Sequence, residues 1–373
     1  MGHGIAEVAL LSGYSVYLHD LKKEILEEAE SLIDWSLKKF LEKSHISENE
    51  YLTFINNLTL TTNFETAAKA TELCIEAVPE RLDLKKEIFK KLDRFCPEDT
   101  ILASNTSTMS ITKIGEATKR PDKVIGMHFP TPPALAKVIE IVRGDKTSEK
   151  TMNFAIDFVK KSKKVYIISM DSPGFICNRI MAPSMLLMQL IFEHDEYSAP
   201  QIDALAINSG MIMGPYELMD YLGLDIISDS SYYLAQHLSK DYYLVPRLKK
   251  LVQERKLGRK TGEGIYKWGL DGKRPKIDLA NPADFDLMLL MEVQVNEAVK
   301  VFEEKIASIH DINIGMKLHY HNPLGPFEMI ESMDLKDFTT SLDRLADKYG
   351  KEVFRAHKWI RDGSIKTRLK QDG

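Results

Sequence analysis

A change of hydrophobic period near residue 170 constrains the fold of this 373-residue chain more than any other feature. Before that point, short apolar runs alternate with segments of helical period, which is typical of a sheet built from β-α-β units. The predicted strands are residues 15–19, 58–61, 73–77, 100–103, 124–127, 138–142 and 165–169. The predicted helices include residues 22–43, 81–94 and 149–161. From Pro173 onward helical period dominates, so we expect a doubly wound α/β sheet followed by an all-α region.

The all-α region contains an internal repeat. Gly214-Pro215-Tyr216-Glu217 is echoed 111 residues later by Gly325-Pro326-Phe327-Glu328, and the helical segments 181–192 and 287–302 lie upstream of the two copies. Gly-Pro also begins many unrelated helices, so coincidence is the competing explanation. The matched length favours duplication. We therefore predict three domains, at residues 1–170, 171–275 and 276–373, with a linker at residues 269–282 between the helical copies.

The first twenty residues carry the second half of a dinucleotide-binding fingerprint. A predicted strand ends in Asp20, and Gly2 lies 18 residues before it. An acid about 20 residues after a glycine-rich turn binds the adenosine ribose, and its charge repels the 2′-phosphate of NADP, so NAD is the expected cofactor. Gly2 matches the third glycine of the fingerprint, and the first strand of a Rossmann-like sheet is missing from the sequence. We expect Met1 to be an internal methionine preceded by about ten to fifteen residues; the alternative is a truncated chain that binds cofactor poorly.

Composition excludes several classes of protein. A net charge of −5 gives no indication of a nucleic-acid surface. Three widely spaced cysteines form neither a disulfide framework nor a metal motif, which favours a reducing cytoplasm. No apolar run reaches the ~18 residues of a membrane span, and we find no signal peptide. The expectation is a globular cytoplasmic protein without a membrane or nucleic-acid partner.

Four polar residues predict a catalytic site. His128 and Glu140 are twelve residues apart, Ser107 precedes them, and Asn178 follows. An imidazole oriented by a carboxylate, with neutral polar groups for a substrate oxygen, suits proton abstraction from an alcohol coupled to hydride transfer. Each residue has a structural alternative, such as a core histidine, a surface carboxylate on a strand, or a residue that caps or begins a helix. Their combination favours catalysis.

The motifs around these residues resemble the 3-hydroxyacyl-CoA dehydrogenase family over residues 2 to about 363. They include Ser104-Asn105-Thr106-Ser107, Gly126-Met127-His128-Phe129, Ser172-Pro173-Gly174-Phe175-Ile176-Cys177-Asn178-Arg179 and Gly258-Arg259-Lys260-Thr261-Gly262. The family's His-Phe-Phe-Asn-Pro form is replaced by His128-Phe129-Pro130-Thr131-Pro132, which keeps the base in place and leaves the shape of the acyl pocket open. The resemblance implies reversible NAD-dependent oxidation of (S)-3-hydroxyacyl-CoA to 3-oxoacyl-CoA, a step of fatty-acid β-oxidation.

The resemblance also implies a role for each site residue. His128 is the general base, Glu140 orients it, Ser107 lies near the substrate oxygen and nicotinamide, and Asn178 contacts the substrate carbonyl. The residues implied for NAD are Gly2, Asp20, Glu80, Lys85 and Asn105. Those implied for coenzyme A are Ser31 and Lys38. No metal is implied.

Partners follow from the same resemblance. Single-copy relatives dimerise through the helical domain, so we predict that the second copy packs on the first as an internal pseudo-dimer; the alternative is a homodimer. The second copy lacks the Ser-Pro-Gly-Phe segment and is expected to be structural. A separate enoyl-CoA hydratase is a further candidate partner. Trp35 and Trp268 are expected to pack internally.

Two other functions stay open at this stage. One is a related dehydrogenase that acts on a small hydroxy acid, which loss of the Ser31 and Lys38 contacts would favour. The other is a non-catalytic scaffold, which failure to bind NAD would favour.

Overall fold

The computed structural model describes residues 1–269 and 272–372, so part of the predicted 269–282 linker and residue 373 lie outside the described residues. Contacts between residues divide the chain into two units. The first unit consists of Met1–Phe175 with Ile314–Pro323, and the second of Ile176–Asn313 with Leu324–Gly373. The whole first predicted domain, residues 1–170, lies in the first unit, and most of both helical copies lies in the second.

The first unit contains all seven predicted strands, with ends shifted by no more than one residue. The strands are β1 Val16–His19, β2 Leu58–Thr61, β3 Leu73–Glu76, β4 Ile101–Ser104, β5 Val124–His128, β6 Val138–Arg143 and β7 Val165–Met170. The predicted α/β sheet is therefore confirmed.

Seven helices connect and cover these strands. They are α1 Gly2–Leu11, α2 Lys23–Glu42, α3 Glu48–Asn56, α4 Phe64–Lys69, α5 Leu82–Phe95, α6 Ile111–Gly115 and α7 Glu149–Lys161. The helix starts follow from capping chemistry: Ser47 forms a capping box with Glu50, and the Ser148 side chain accepts a hydrogen bond from the Thr151 amide.

The strands form two sheets, β1-β2 and β3-β4-β5-β6-β7. All neighbours are parallel except β5 and β6, which are antiparallel. The sheet is therefore parallel, as expected from the alternation of strands and helices, except at this pair. The physical reason is that the chain between β5 and β6 contains no helix, and a parallel pair needs a longer crossover.

Helix α1 contributes to two apolar clusters of the first unit. Ile5 and Val8 belong to a cluster with the inner strands and α7, whereas Ala6 and Leu10 belong to a cluster with α2. No ladder joins β1 to β3 among the residues that the structure describes. Side chains of α1 therefore lie between the two sheets.

The second unit is helical. Its helices are α8 Cys177–Glu193, α9 Ala199–Asn208, α10 Pro215–Leu222, α11 Leu224–His237, α12 Pro246–Gln253, α13 Met288–Glu303, α14 Ile309–His319, α15 Pro326–Ser332, α16 Leu335–Tyr349, α17 Lys358–Arg361 and α18 Ser364–Asp372. Residues 314–319 of α14 are assigned to the first unit. The predicted all-α region is confirmed. No helix in the described ranges is long and apolar enough to cross a membrane.

The predicted repeat is visible in matching contacts of the second unit. In the first copy, the Asp203 carboxylate accepts hydrogen bonds from the amides of Tyr216 and Glu217, each at 2.9 Å. In the second copy, the Asn313 side-chain oxygen accepts one from the Phe327 amide at 2.9 Å. Glycine is required before each Pro, because a Cβ at Gly214 would lie 2.3 Å from Asp203 and one at Gly325 would lie 2.4 Å from Asn313. Both copies therefore cap the Gly-Pro helix in the same way.

Candidate active site

The centre of the site follows from the register of the antiparallel pair. His128 and Glu140 are direct partners across β5 and β6, and the two residues are 6% and 1% exposed. His128 Nδ1 lies 3.0 Å from Glu140 Oε2. A carboxylate accepts hydrogen bonds, so Nδ1 carries a proton, and in the neutral imidazole Nε2 carries the lone pair. This arrangement supplies a base with a fixed tautomer.

Parallel strands place the neighbouring polar residues at the same edge. Strands β3, β4 and β5 end at Glu76, Ser104 and His128, and the carboxyl edge of an open α/β sheet is where ligands bind. Asn105 follows β4, and its side-chain oxygen accepts a hydrogen bond from the Phe129 amide at 2.9 Å. Asn105 therefore ties the end of β4 to the segment that follows the histidine.

Glu80 organises the loop after β4. Its Oε1 accepts hydrogen bonds from the Thr106 hydroxyl and from the Ser107 amide, the latter at 3.0 Å. Burial raises the pKa of Glu80, but the Lys85 charge and these hydrogen bonds outweigh it and lower the pKa below its ordinary value. Glu80 is therefore an anion that holds Ser107 in place.

Lys85 contacts Glu80 and is only 1% exposed. Its ammonium contacts Glu76 Oε1 at 2.9 Å, Glu80 Oε2 at 3.1 Å and the Val78 carbonyl at 3.2 Å. An ammonium has three donors, and these three acceptors match them. The contacts place Lys85 to fix Glu80 rather than to reach a cofactor directly.

The competing explanation for Ser107, a helix cap, does not fit the structure. Helix α6 begins at Ile111, and its cap is Ser110, which accepts from the Lys113 amide at 3.1 Å. Asp171, after β7, also accepts from the Ile111 and Thr112 amides at 3.0 and 2.8 Å. Ser107 lies three residues before that cap.

A second histidine, which the sequence reasoning missed, lies beside His128. The ring centroids of His128 and His319 are 5.6 Å apart, and those of His128 and Phe175 are 6.4 Å apart. Burial lowers the pKa of His319 to about 3, and the nearby charges of His128 and His321 contribute in the same direction. Sequence spacing gave no signal for this contact because His319 is 191 residues downstream of His128.

The first unit also presents groups that fit a dinucleotide. Helix α1 starts at Gly2, where a Cβ would meet nothing within 4 Å, and the first amides of a helix have no partner within the helix. Asp20 follows β1 and is partly exposed. A pyrophosphate suits the helix start and a ribose hydroxyl suits the carboxylate, so these residues fit NAD.

The two residues implied for coenzyme A lie on α2. Ser31 and Lys38 are exposed, and Lys38 Nζ pairs with Asp34 Oδ2 at 2.7 Å. Trp35 lies between them and is 62% exposed, so the prediction that it packs internally was wrong; Trp268 is buried as predicted. The buried face of α2 consists of Leu26, Ala29, Ile33 and Leu37. That row leaves position 35 on the opposite side of the helix.

Asn178 lies in the first turn of α8 and belongs to the second unit, whereas His128 belongs to the first. Its contact with substrate stays a prediction from the motif. In the described ranges, no three His, Cys, Asp or Glu side chains cluster as a metal site.

Comparison with protein families covers both parts of the chain. The model described as 3-hydroxyacyl-CoA dehydrogenase, NAD binding domain, matches residues 1–172. The model of the C-terminal domain of the same family matches residues 174–268 and again residues 289–372.

Comparison with individual proteins gives the same family. The mitochondrial hydroxyacyl-coenzyme A dehydrogenase of Sus scrofa is 38% identical over 277 residues, which cover 72% of this chain and 88% of that protein. A 3-hydroxybutyryl-CoA dehydrogenase of Clostridioides difficile is 37% identical over 268 residues, 71% of this chain and 95% of that protein. The crystal structure of 3-hydroxybutyryl-CoA dehydrogenase from Escherichia coli K12 has a TM-score of 0.85 and 25% identity, and covers 98% of this chain and 96% of that chain. The last similarity extends through the second helical copy.

Proposed function

Because the chain belongs to the 3-hydroxyacyl-CoA dehydrogenase family, we propose that it catalyses the reversible NAD-dependent oxidation of (S)-3-hydroxyacyl-CoA to 3-oxoacyl-CoA. The observation that carries this proposal is the His128–Glu140 contact of 3.0 Å at the carboxyl edge of the sheet in the NAD-binding domain. A buried, oriented imidazole there is what an alcohol oxidation requires of the protein.

His128 acts as the general base. Its Nε2 takes the proton of the substrate 3-hydroxyl as the C3 hydride departs, and in the reverse direction it returns that proton to the 3-oxo oxygen. Bound NAD supplies the hydride acceptor. The protein's task is to hold the proton, the hydroxyl and C3 in a reactive alignment.

Glu140 keeps Nε2 available and stabilises the imidazolium that forms. Because Glu140 is buried, its charge acts on His128 with little screening by water. Ser107 and Asn178 bind the substrate oxygen and carbonyl in this proposal. Glu80 fixes the Ser107 amide, and Lys85 in turn fixes Glu80.

The cofactor and coenzyme A assignments rest on shape and charge. The amides at the start of α1 near Gly2 suit the pyrophosphate, Asp20 suits the adenosine ribose, and Asn105 lies at the same sheet edge as His128. Ser31 and Lys38 offer an exposed hydroxyl and ammonium for coenzyme A.

The organisation of the chain forms part of the same proposal. Helices α8 and α13, one from each copy, are joined inside the second unit by Arg179, which contacts Glu297 at 2.9 Å and Glu304 at 2.6 Å. This pairing supports an internal pseudo-dimer of the domains at residues 171–275 and 276–373. Monomeric state, a hydratase partner and cytoplasmic location stay predictions.

The test measures NADH oxidation with acetoacetyl-CoA, and compares it with free acetoacetate and with NADPH as reductant. We expect turnover with acetoacetyl-CoA and NADH, and much slower turnover in the other two reactions. Preference for the free acid would favour the small-hydroxy-acid alternative. Absence of NADH binding, measured by fluorescence, would favour the scaffold.

A further inference from the structure

The contact between His128 and His319 lies within the first unit, although His319 comes from the second helical copy. Residues 314–323 are assigned to the first unit. The two imidazole rings are inclined by 39°, and the Tyr320 ring centroid lies 4.5 Å from that of His319. An aromatic residue of the second copy therefore reaches the proposed base.

The repeat shows that this residue is particular to the second copy. Counted back from the two Gly-Pro turns, 111 residues separate His319 from Asn208 and His321 from Gly210, and Asn208 and His319 are the last residues of helices α9 and α14. Gly210 and His321 both have positive φ, +97° and +58°, so the helix ends are alike in backbone. Asn208 is exposed and its amide donates to the Leu279 carbonyl at 3.0 Å. The side chain at this helix end thus differs between the copies in both chemistry and surroundings.

His319 contacts His128 through its ring and not through a hydrogen bond. Among the described residues, the His319 side chain has no hydrogen bond, and its ring lies against the rings of His128 and Tyr320. Burial and the nearby His128 keep the pKa of His319 near 3, so the ring is neutral at ordinary pH. A neutral ring next to His128 adds no repulsion when His128 becomes an imidazolium.

His128 is then restricted by three neighbours. Glu140 holds Nδ1, and the Phe175 and His319 rings lie within aromatic contact distance of the imidazole. A hydrogen bond to one nitrogen still permits the ring to pivot about that contact. Ring neighbours limit this pivot and so fix the direction of Nε2.

We propose that His319 is a positioning residue for the dehydrogenase reaction: the second helical copy supplies an aromatic face that holds the His128 ring with Nε2 toward the substrate. The inference rests on the proposed function. It also changes the role expected for the second copy, which is no longer only structural.

The kinetic test compares His319→Ala and His319→Phe with His310→Ala, an exposed histidine on the same helix. With acetoacetyl-CoA and NADH, we expect His319→Ala to lower kcat about 10-fold with little change in KM, because a misplaced base slows chemistry more than binding. His319→Phe should restore kcat to within about 3-fold of the unaltered protein, since it keeps the ring. His310→Ala should behave like the unaltered protein.

A second readout separates positioning from activity. In protein labelled with ¹⁵N at histidine, the His128 ring should show one tautomer, protonated at Nδ1, in the unaltered protein and in His319→Phe. His319→Ala should show a mixture of tautomers or broadened ring signals. This measurement needs no turnover, so it remains decisive even if the protein acts on a different substrate.

Two results would overturn the inference. One is a His319→Ala protein with unaltered kcat and a single His128 tautomer. The other is equal loss of kcat in His319→Ala and His319→Phe, which would show that the ring nitrogens, or folding alone, matter. Lack of turnover by the unaltered protein would instead contradict the proposed function and leave the tautomer result to judge His319.

Discussion

Buried carboxylates chosen from each of the two units serve different purposes. In the first unit, Glu140 is paired with the side chain of His128 at a sheet edge where a ligand can approach. In the second, Asp220 accepts hydrogen bonds from the amides of Ile265 and Tyr266 and from the Trp268 ring, which bind a loop to a helix. Glu297 likewise neutralises Arg179 between two helices. A buried carboxylate paired with a titratable base indicates chemistry, whereas one satisfied by backbone amides or a permanent cation indicates architecture.

The largest expected effect comes from Glu140→Gln. A glutamine amide can donate to Nδ1, which would leave the proton on Nε2 and remove the base. We expect kcat to fall roughly 1000-fold with little change in the thermal midpoint. The measurement is NADH oxidation with acetoacetyl-CoA, together with a thermal melt. Unaltered kcat would show that Glu140 stabilises the fold and does not serve catalysis.

The matched change in the second unit is Glu297→Gln. Glu297 is 2% exposed and contacts Arg179 and Lys300, at 2.9 and 3.1 Å. Loss of its charge should destabilise the fold by about 3 kcal/mol, because the buried Arg179 loses a partner. We expect kcat per folded molecule to be unaffected. Denaturant unfolding measures the free energy, and a large loss of kcat without destabilisation would contradict the comparison.

An effect of similar size on stability is expected from close packing around Asp220. A Cβ at Gly264 would lie 2.2 Å from Asp220 Oδ1 and 2.6 Å from the Gly258 Cα, so Gly264→Ala must displace the loop. We expect a loss of about 3 kcal/mol. Gly262 has a positive φ, unlike Gly264, but open space around it, so Gly262→Ala should cost only about 1 kcal/mol of backbone strain. Similar losses at both positions would show that the loop is not held by Asp220.

The contributions of the two helical copies to stability should depend differently on pH. Burial raises the pKa of Asp203 to about 6, above the ~3.9 of an unfolded chain, whereas its counterpart Asn313 does not titrate. The folded state therefore binds the proton more tightly, and this contribution to stability is lost as pH rises from about 4 to about 6. We expect Asp203→Asn to remove this change in the free energy of unfolding, which amounts to up to about 3 kcal/mol between pH 4 and pH 6. Denaturant unfolding at several pH values tests this, and equal slopes would contradict it.

The smallest expected effect concerns the surface of α2. Lys38→Ala should raise KM for acetoacetyl-CoA about 5-fold and leave kcat and NADH binding unaltered, because an exposed ammonium is screened by salt. The matched control is Lys39→Ala, an exposed lysine that pairs with Glu42 at 2.7 Å. Equal effects of the two substitutions would remove Lys38 from the coenzyme A site.

Much of this arrangement could be predicted because it is local in sequence. The strand runs, the fingerprint acid Asp20 and the Gly-Pro repeat each occupy a few consecutive residues, and His128 and Glu140 share one strand pair. The wrong prediction that Trp35 is buried could also have been avoided, since Trp35 does not belong to the apolar row that forms the buried face of α2.

The rest depends on tertiary contacts that no short segment encodes. The antiparallel direction of β6 follows from a connection without a helix, and the burial of Lys85 follows from carboxylates on two segments. His319 reaches His128 only because the end of α14 packs in the first unit. Motif spacing cannot report a contact between residues so far apart in the chain.

The most direct test of the central claim is hydride transfer from NADH to acetoacetyl-CoA in a single turnover, for the unaltered protein and for His128→Gln. The account predicts a loss of roughly 1000-fold or more in the transfer rate for His128→Gln. NADH binding and the thermal midpoint should be retained, and His310→Gln should serve as an unaffected control. Hydride transfer by His128→Gln at the rate of the unaltered protein would contradict the assignment of His128 as the base.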